Sequence, residues 1–242
     1  MNDTIIIIQA RMGSHRLPGK SLMPVWKDMS LLELVLNRIT QAKLPNKIIL
    51  ATSAKKKDDR LISIAEKYGV EIIRGSENDV LGRFVQAYKS YPANAIVRAA
   101  ADNPLLDPGI IDKLISFFWD NQPCDYASNL GPISGYPDGV GVEMVSAKTL
   151  LHLEREAKDM RYREHVVTYL HKNRDYLSKL QHAPPEFHRP SYRLDIDFFE
   201  DLIFIRELVK RLPQKKGPYW TTRDIVRTLD KEPGLLKLRK IR

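Results

Sequence analysis

Short β-branched runs alternate with amphipathic helical stretches through the first half of the chain, and that alternation limits the fold more than any other feature. Thr4 to Ile8 reads as a buried strand. A glycine- and proline-containing loop follows, from Gln9 to about Pro24. Ser30 and Glu33 then have capping-box spacing. The helix they open carries Leu31, Leu34, Val35 and Ile39 on one stripe. Lys47 to Ala51, Val70 to Ile73 and Ala95 to Ala99 read as further strands. Helices are expected over Asp58–Tyr68, from Asp79 to Tyr91, and over Pro108–Asn121, where Pro108 suits a first turn. This spacing implies βαβ units and a parallel sheet with helices on both faces. Ligands of such sheets bind beyond the carboxyl ends of the strands, where the loops after Ile8 and Ala99 lie.

The second half is less regular. Asp125–Ser128, Val140–Val145, Leu177–Gln181 and Tyr192–Ile196 look extended. Helices are expected over Ala147–Ala157 and Arg161–Asn173. Asp197 and Glu200 form a cap-like pair before an apolar helix to about Leu212. Thr221 or Thr222 suits the cap of a last helix. The linker-like stretch Pro213–Pro218 lies too near the end to divide two domains.

A length of 242 residues allows one large domain, or a domain with an insertion. The apolar run Ile5–Ile8 is too short to span a bilayer and lacks a signal peptide's basic flank. One cysteine, Cys124, cannot form an internal disulfide, so a reducing cytoplasm is the default expectation. The net charge of +9 favours anionic partners without choosing among them. Part of it, at Lys237, Arg239, Lys240 and Arg242, reads as a solvated tail. Little of it interleaves with aromatics, as RNA binding would require. The six histidines and one cysteine lack zinc-ligand spacing.

The segment Gln9-Ala10-Arg11-Met12-Gly13-Ser14-His15-Arg16-Leu17-Pro18-Gly19-Lys20 holds two glycines and three cations directly after a buried strand. Glycines let backbone amides approach phosphate oxygens, and Arg and Lys neutralise them. The dinucleotide fingerprint G-x-G-x-x-G is absent. A P-loop is excluded because five residues separate Gly13 from Gly19-Lys20-Ser21, one too many, and Pro18 lacks an amide proton. A phosphate cradle of another kind is the expectation.

The chain resembles the cytidylyltransferases that make CMP-activated sugar acids, including CMP-Kdo and CMP-sialic acid synthetases, and most of all their spore-coat polysaccharide (SpsF-type) branch. The likeness runs through Ile8–Lys20, Ala51-Thr52-Ser53, Arg74–Leu81, Arg98–Pro108, Tyr136–Gly139, Arg163-Glu164-His165 and Leu194–Leu202. It implies a Rossmann-like (GT-A-like) α/β fold with a mostly parallel sheet. It also implies one nucleotidyltransferase domain over residues 1–242. An irregular insertion at about 130–190 would serve acceptor binding and homodimer formation.

The resemblance implies that the first loop holds the CTP phosphates through Ala10, Arg11, Met12, Gly13, Ser14, Arg16 and Lys20. Arg11 and Lys20 would stabilise charge on the α-phosphate, while Arg16 also suits a surface ion pair. Ala51, Thr52, Ser53, Arg74, Ser76, Asp79 and Leu81 would form the base and ribose pocket, although Ser76 and Asp79 equally suit helix capping. Asp102 and Asp197 fall on the family's Mg²⁺ aspartates. Asp102 before Pro104 is also a turn former, and Asp197 also a helix cap. Phe198-Phe199 replaces the family's usual Thr-Pro, a departure that leaves metal binding in question. Asp138, Gly139, Glu143, Arg163, His165 and Arg193 look like the region for an anionic sugar acceptor. The implied partners are CTP and a sugar, with no nucleic acid and no membrane. Three rivals remain open from the residues: a glycosyltransferase using a nucleotide-sugar donor, a basic nucleic-acid-binding protein, and a family member that binds nucleotide without turnover.

Overall fold

The structure is a computed structural model and describes residues 2–172 and 175–239. In chain order, β1 (Thr4–Gln9) leads through a long loop to the hairpin of β2 (Pro24–Trp26) and β3 (Met29–Ser30). Then come α1 (Leu31–Ile39), β4 (Lys47–Ser53), α2 (Asp59–Lys67), β5 (Glu71–Gly75), α3 (Val80–Ser90), β6 (Ala95–Ala100) and α4 (Pro108–Asp120). The second half adds β7 (Tyr126–Ser128), β8 (Glu143–Ser146), α5 (Ala147–Glu156), α6 (Met160–Glu164), α7 (Thr168–Lys172), β9 (Ser178–Leu180), α8 (Phe199–Arg211) and α9 (Thr222–Lys231).

Four consecutive isoleucines set the middle of the molecule. Ile5 and Ile7 of β1 enter one apolar cluster, with α3 and α5 residues such as Phe84 and Leu150. Ile6 and Ile8 enter the other, with residues of α1, α4 and α8. A strand buried on both faces has no need of polar alternation, which is why this run carries none. The seven-stranded sheet has the order β5-β4-β1-β6-β8-β7-β9. β1 pairs in parallel with both β4 and β6, and β8 runs antiparallel between β6 and β7. The fold is thus a Rossmann-like, mostly parallel α/β sheet flanked by helices. The chain moves outward from β1 through β4 to β5, then crosses to β6 on the other side. The order therefore reverses between β1 and β6, and a crevice opens at their carboxyl ends.

Several expected boundaries shift, each for a local reason. The expected strand Val140–Val145 begins only at Glu143, because the Val142 amide donates to the Asn129 side chain at 2.8 Å rather than to a ladder. Tyr192–Ile196 makes a single bridge, Asp138 to Arg193, and no strand. The expected helix from Arg161 divides into α6 and α7, separated by a turn at His165, whose carbonyl accepts from the Thr168 amide and hydroxyl; Asn173 lies outside the described residues. The cap of α8 is Phe198 rather than Asp197, and the carboxylate reaching back is that of Asp201 rather than Glu200. The β2–β3 hairpin carries too few residues to leave a periodic signal. The expected solvated tail is also corrected at Arg239, whose side chain is only 9% exposed. Lys237 is exposed as expected, while Lys240 and Arg242 lie outside the described residues.

Arg38 ties α1 to the loops after β6 and before α9. Its buried guanidinium donates to the carbonyls of Leu106 (2.9 Å), Trp220 (2.8 Å), Leu105 (3.4 Å) and Pro218. Burial pulls its pKa down to about 10, partly offset by Asp107. A charge held this way is costly to replace, because removing it strands several buried acceptors. Arg38→Met is expected to lose about 3 kcal/mol of stability, measured by urea unfolding. A loss below about 0.5 kcal/mol would contradict this role.

Candidate active site

The crevice between β1 and β6 is a cleft of about 360 Å³. Its lining includes Gln9 at the end of β1, Arg11, Ser14, Arg16 and Lys20 from the first loop, and Arg98 and Asp102. Two glycines shape that loop. Gly19 has φ +74°, a left-handed conformation, and leads directly into the 3-10 turn at Lys20–Leu22. A Cβ on Gly13 would lie 2.3 Å from Glu77 Oε1 and 2.8 Å from Lys57 Nζ, so the Lys57–Glu77 ion pair can close over the backbone there. Leu17 is buried in the core and pins the middle of the loop. Ser14 accepts from the Leu17 amide at 3.3 Å.

The geometry converges on Lys20. Its ammonium lies 2.9 Å from Asp102 Oδ2, 3.2 Å from Asp197 Oδ1 and 2.6 Å from the Ile196 carbonyl. The Ile196 amide in turn donates to the Asp102 carbonyl at 2.9 Å, stapling the segment before α8 to the end of β6. Arg16 reaches the same Asp197 oxygen at 2.8 Å, and its guanidinium stands 5.6 Å from the centre of the Phe198 ring. Phe198 therefore gives Arg16 an aromatic platform, and Phe199 is half-exposed on α8. Neither ring keeps Asp197 from Lys20.

Arg11 enters the cleft from the other wall. It donates to the Glu77 carbonyl at 2.8 Å and pairs with Glu164 at 3.0 Å. Arg83 lies beside it, 2% exposed, with its Nε unpaired; burial, then the nearby Arg11, hold it below the ordinary arginine range. Arg98 donates to Gln9 at 3.1 Å and pairs with Glu143.

Other expected residues sit elsewhere. Ala10 lines the cleft, whereas Ala51 is wholly buried and pairs with Gln9 in the sheet. Thr52 and Ser53 are buried and turn their hydroxyls to Asp58. Arg74 pairs with Asp59, Ser76 is exposed, and Leu81 packs in the core while its neighbour Val80 lines the cleft. Asp79 caps α3 through the Gly82 amide at 2.8 Å and pairs with Arg163, which also binds Glu154. That pairing raises Arg163, the Asp79 bond first. Glu143 is buried under Arg98 and Tyr126. Asp138 and Arg193 face each other at 3.7 Å, and burial raises the Asp138 carboxyl, with Asp195 adding to the effect. Gly139 is required there, since a Cβ would meet the Leu194–Asp195 backbone at 3.0 Å. Of the expected acceptor residues, His165 alone is on the cleft's lining.

Sequence reasoning missed Asp58, Gln9, Arg83, Arg98 and Glu164. Arg98 had a readable signal, a cation inside an apolar strand. Asp58 looks in sequence like any residue at a helix start.

Residues 5–225 match the cytidylyltransferase family. The chain is 38% identical to the spore coat polysaccharide biosynthesis protein SpsF of Bacillus subtilis, over 96% of each chain. A cytidylyltransferase structure from Leptospira borgpetersenii superposes with a TM-score of 0.90 at 30% identity, covering 99% of both chains. CMP:2-keto-3-deoxy-manno-octonic acid synthetase complexed with CTP shares the fold, with a TM-score of 0.66 at 17% identity over 86% of this chain and 98% of that one. The chain belongs to the cytidylyltransferase family and is an enzyme of that class, a nucleotidyltransferase.

Asp58 organises the wall beneath the first loop. Its fully buried carboxylate accepts from the Met12 amide at 2.8 Å, the Ser53 amide at 3.3 Å and the hydroxyls of Thr52 and Ser53. Asp58→Asn turns an amide donor toward these donors. It is expected to weaken CTP binding about tenfold, or about 1.4 kcal/mol, by titration calorimetry. Unchanged affinity would contradict the assignment.

Proposed function

We propose that this chain transfers CMP from CTP to a hydroxyl of an acidic sugar, releasing pyrophosphate, to supply an envelope or spore-coat polysaccharide. The observation that carries this reading is the meeting of Lys20, Arg16, Asp102 and Asp197, with Arg11 on the opposite wall of the same cleft, at the reversal point of the sheet. The acceptor hydroxyl oxygen attacks the α-phosphorus as its proton passes to solvent, the bond to the bridging oxygen of the β-phosphate breaks, and pyrophosphate leaves. Charge grows on the phosphoryl oxygens, where Arg11 and Lys20 would meet it. Arg16 and the loop backbone orient the outer phosphates. Most of the acceleration on this reading is positioning and electrostatics.

The residues present suit Mg²⁺. Two carboxylates converge on one point and already hold a cation there, the Lys20 ammonium. Among the described residues no group of three or more acidic, histidine or cysteine side chains gathers. Asp102 and Asp197 would thus hold the ion together with water and phosphate oxygens, the manner in which Mg²⁺ is usually bound. Bound there, it would neutralise charge on the α-phosphate and orient it.

No described helix is long and apolar enough to cross a membrane. A free, buried Cys124 and a requirement for CTP suit a cytoplasmic enzyme. The reading also includes the single nucleotidyltransferase domain and a homodimer built on the region of about 130–190. There Ile133 is 79% exposed and Leu177 52%, apolar surface of the kind a second copy would cover. Sedimentation at micromolar concentration is expected to show a dimer, and a strict monomer would contradict it.

Pyrophosphate release from the four ribonucleoside triphosphates, screened with acidic sugars and Mg²⁺, tests the reaction. CTP is expected to be preferred, and EDTA to abolish release. Lys20→Ala and Asp102→Ala are each expected to reduce turnover by about a thousandfold or more, with the folded circular dichroism spectrum retained. Activity within tenfold of the wild type in either variant would remove that residue's role.

A further inference from the structure

We infer that Arg239, beyond α9, is a positioning residue that fixes Asp197 by holding the buried carboxylate of Asp201. The inference rests on the metal reading of Asp197 given above.

Asp201 is wholly buried in the first turn of α8. Its Oδ2 accepts from the backbone amides of Asp197 (3.0 Å) and Phe198 (2.9 Å). The Asp197 main chain therefore hangs from this carboxylate, while the Asp197 side chain reaches the other way to Lys20 and Arg16. The other oxygen, Oδ1, makes an ion pair with Arg239 Nη2 at 2.9 Å, at an angle that forms no hydrogen bond. That nitrogen is also 3.2 Å from Asp195 Oδ1, and Arg239 Nη1 donates to the Arg193 carbonyl. The guanidinium stands 5.7 Å from the centre of the Phe204 ring on α8. One planar cation thus grips the chain at Arg193, Asp195 and Asp201, on both sides of Asp197.

Such a clamp demands arginine. A buried carboxylate holds its charge only with a countercharge and good hydrogen bonds. The guanidinium fork bonds several oxygens at once, whereas a lysine ammonium is a compact point charge. Without the fork, Asp201 loses its ion pair with Arg239, and Asp195 loses one of its two arginine pairs. The Asp201 carboxylate is then held less firmly, and the Asp197 and Phe198 amides that donate to it shift with it. Partners that orient a metal ligand typically contribute tenfold to a hundredfold in metal affinity.

The test is Mn²⁺ binding at saturating CTP, followed by electron paramagnetic resonance of the free ion, on the full chain. Wild type, Arg239→Met, Arg239→Lys and Asp197→Asn are compared. Arg239→Met is expected to bind Mn²⁺ at least about tenfold more weakly, with CTP affinity within threefold of wild type (~0.7 kcal/mol). In turnover, half-activating Mg²⁺ rises while the KM for CTP holds. Arg239→Lys is expected to lie between the two, and it stands in for Arg239→Met if that variant does not fold. Guanidinium ion added to Arg239→Ala is expected to restore part of the affinity, which a general loss of structure would not allow. Wild-type Mn²⁺ affinity in a folded Arg239→Met, or in Arg239→Lys where Met does not fold, overturns the inference. Wild-type Mn²⁺ affinity in Asp197→Asn overturns instead the metal reading beneath it, and the inference with it.

Discussion

One ammonium group joins parts of the chain that the sheet alone would leave apart. Lys20 stands between a carboxylate at the end of β6 and another just before α8, and also takes the Ile196 carbonyl. Two like charges this close repel unless a cation lies between them. The lysine supplies that cation from the first loop, and the backbone bond from Ile196 to Asp102 keeps the two anionic segments in register. The left-handed Gly19 and the buried Leu17 fix where the lysine starts. The crevice and its charge balance follow from this contact.

The fold was legible in the sequence wherever burial is two-sided or periodic. The isoleucine run of β1, the capping box at Ser30 and Glu33, and the Pro108 start of α4 each carry a local signal, and each lies where expected. The signal fails where a side chain competes with the backbone. Asn129 takes the amide that would have begun β8 early. The cap expected of Asp197 falls on Phe198, with Asp201 rather than Glu200 reaching back, and so the Asp197 carboxylate is left for the cleft. No periodicity encodes either choice, because both depend on contacts made in three dimensions.

The site was legible in part. The glycines and cations of the first loop mark themselves by density, and Asp102 and Asp197 do meet at Lys20. Thr52, Ser53 and Glu143 carry suitable chemistry but face inward to Asp58 and Arg98. Chemical type names a candidate, and burial decides which way it points. Asp58, Arg83 and Arg239 went unassigned for the complementary reason. A charged residue in an ordinary-looking helix or tail gives no sign that it is buried.

The most direct test is a crystal of the chain soaked with CTP and Mn²⁺. The account predicts the triphosphate lying along Ala10–Lys20, Lys20 on a phosphate oxygen, and an anomalous peak between the carboxylates of Asp102 and Asp197. A triphosphate bound away from that loop, or a metal peak that neither aspartate touches, would contradict it.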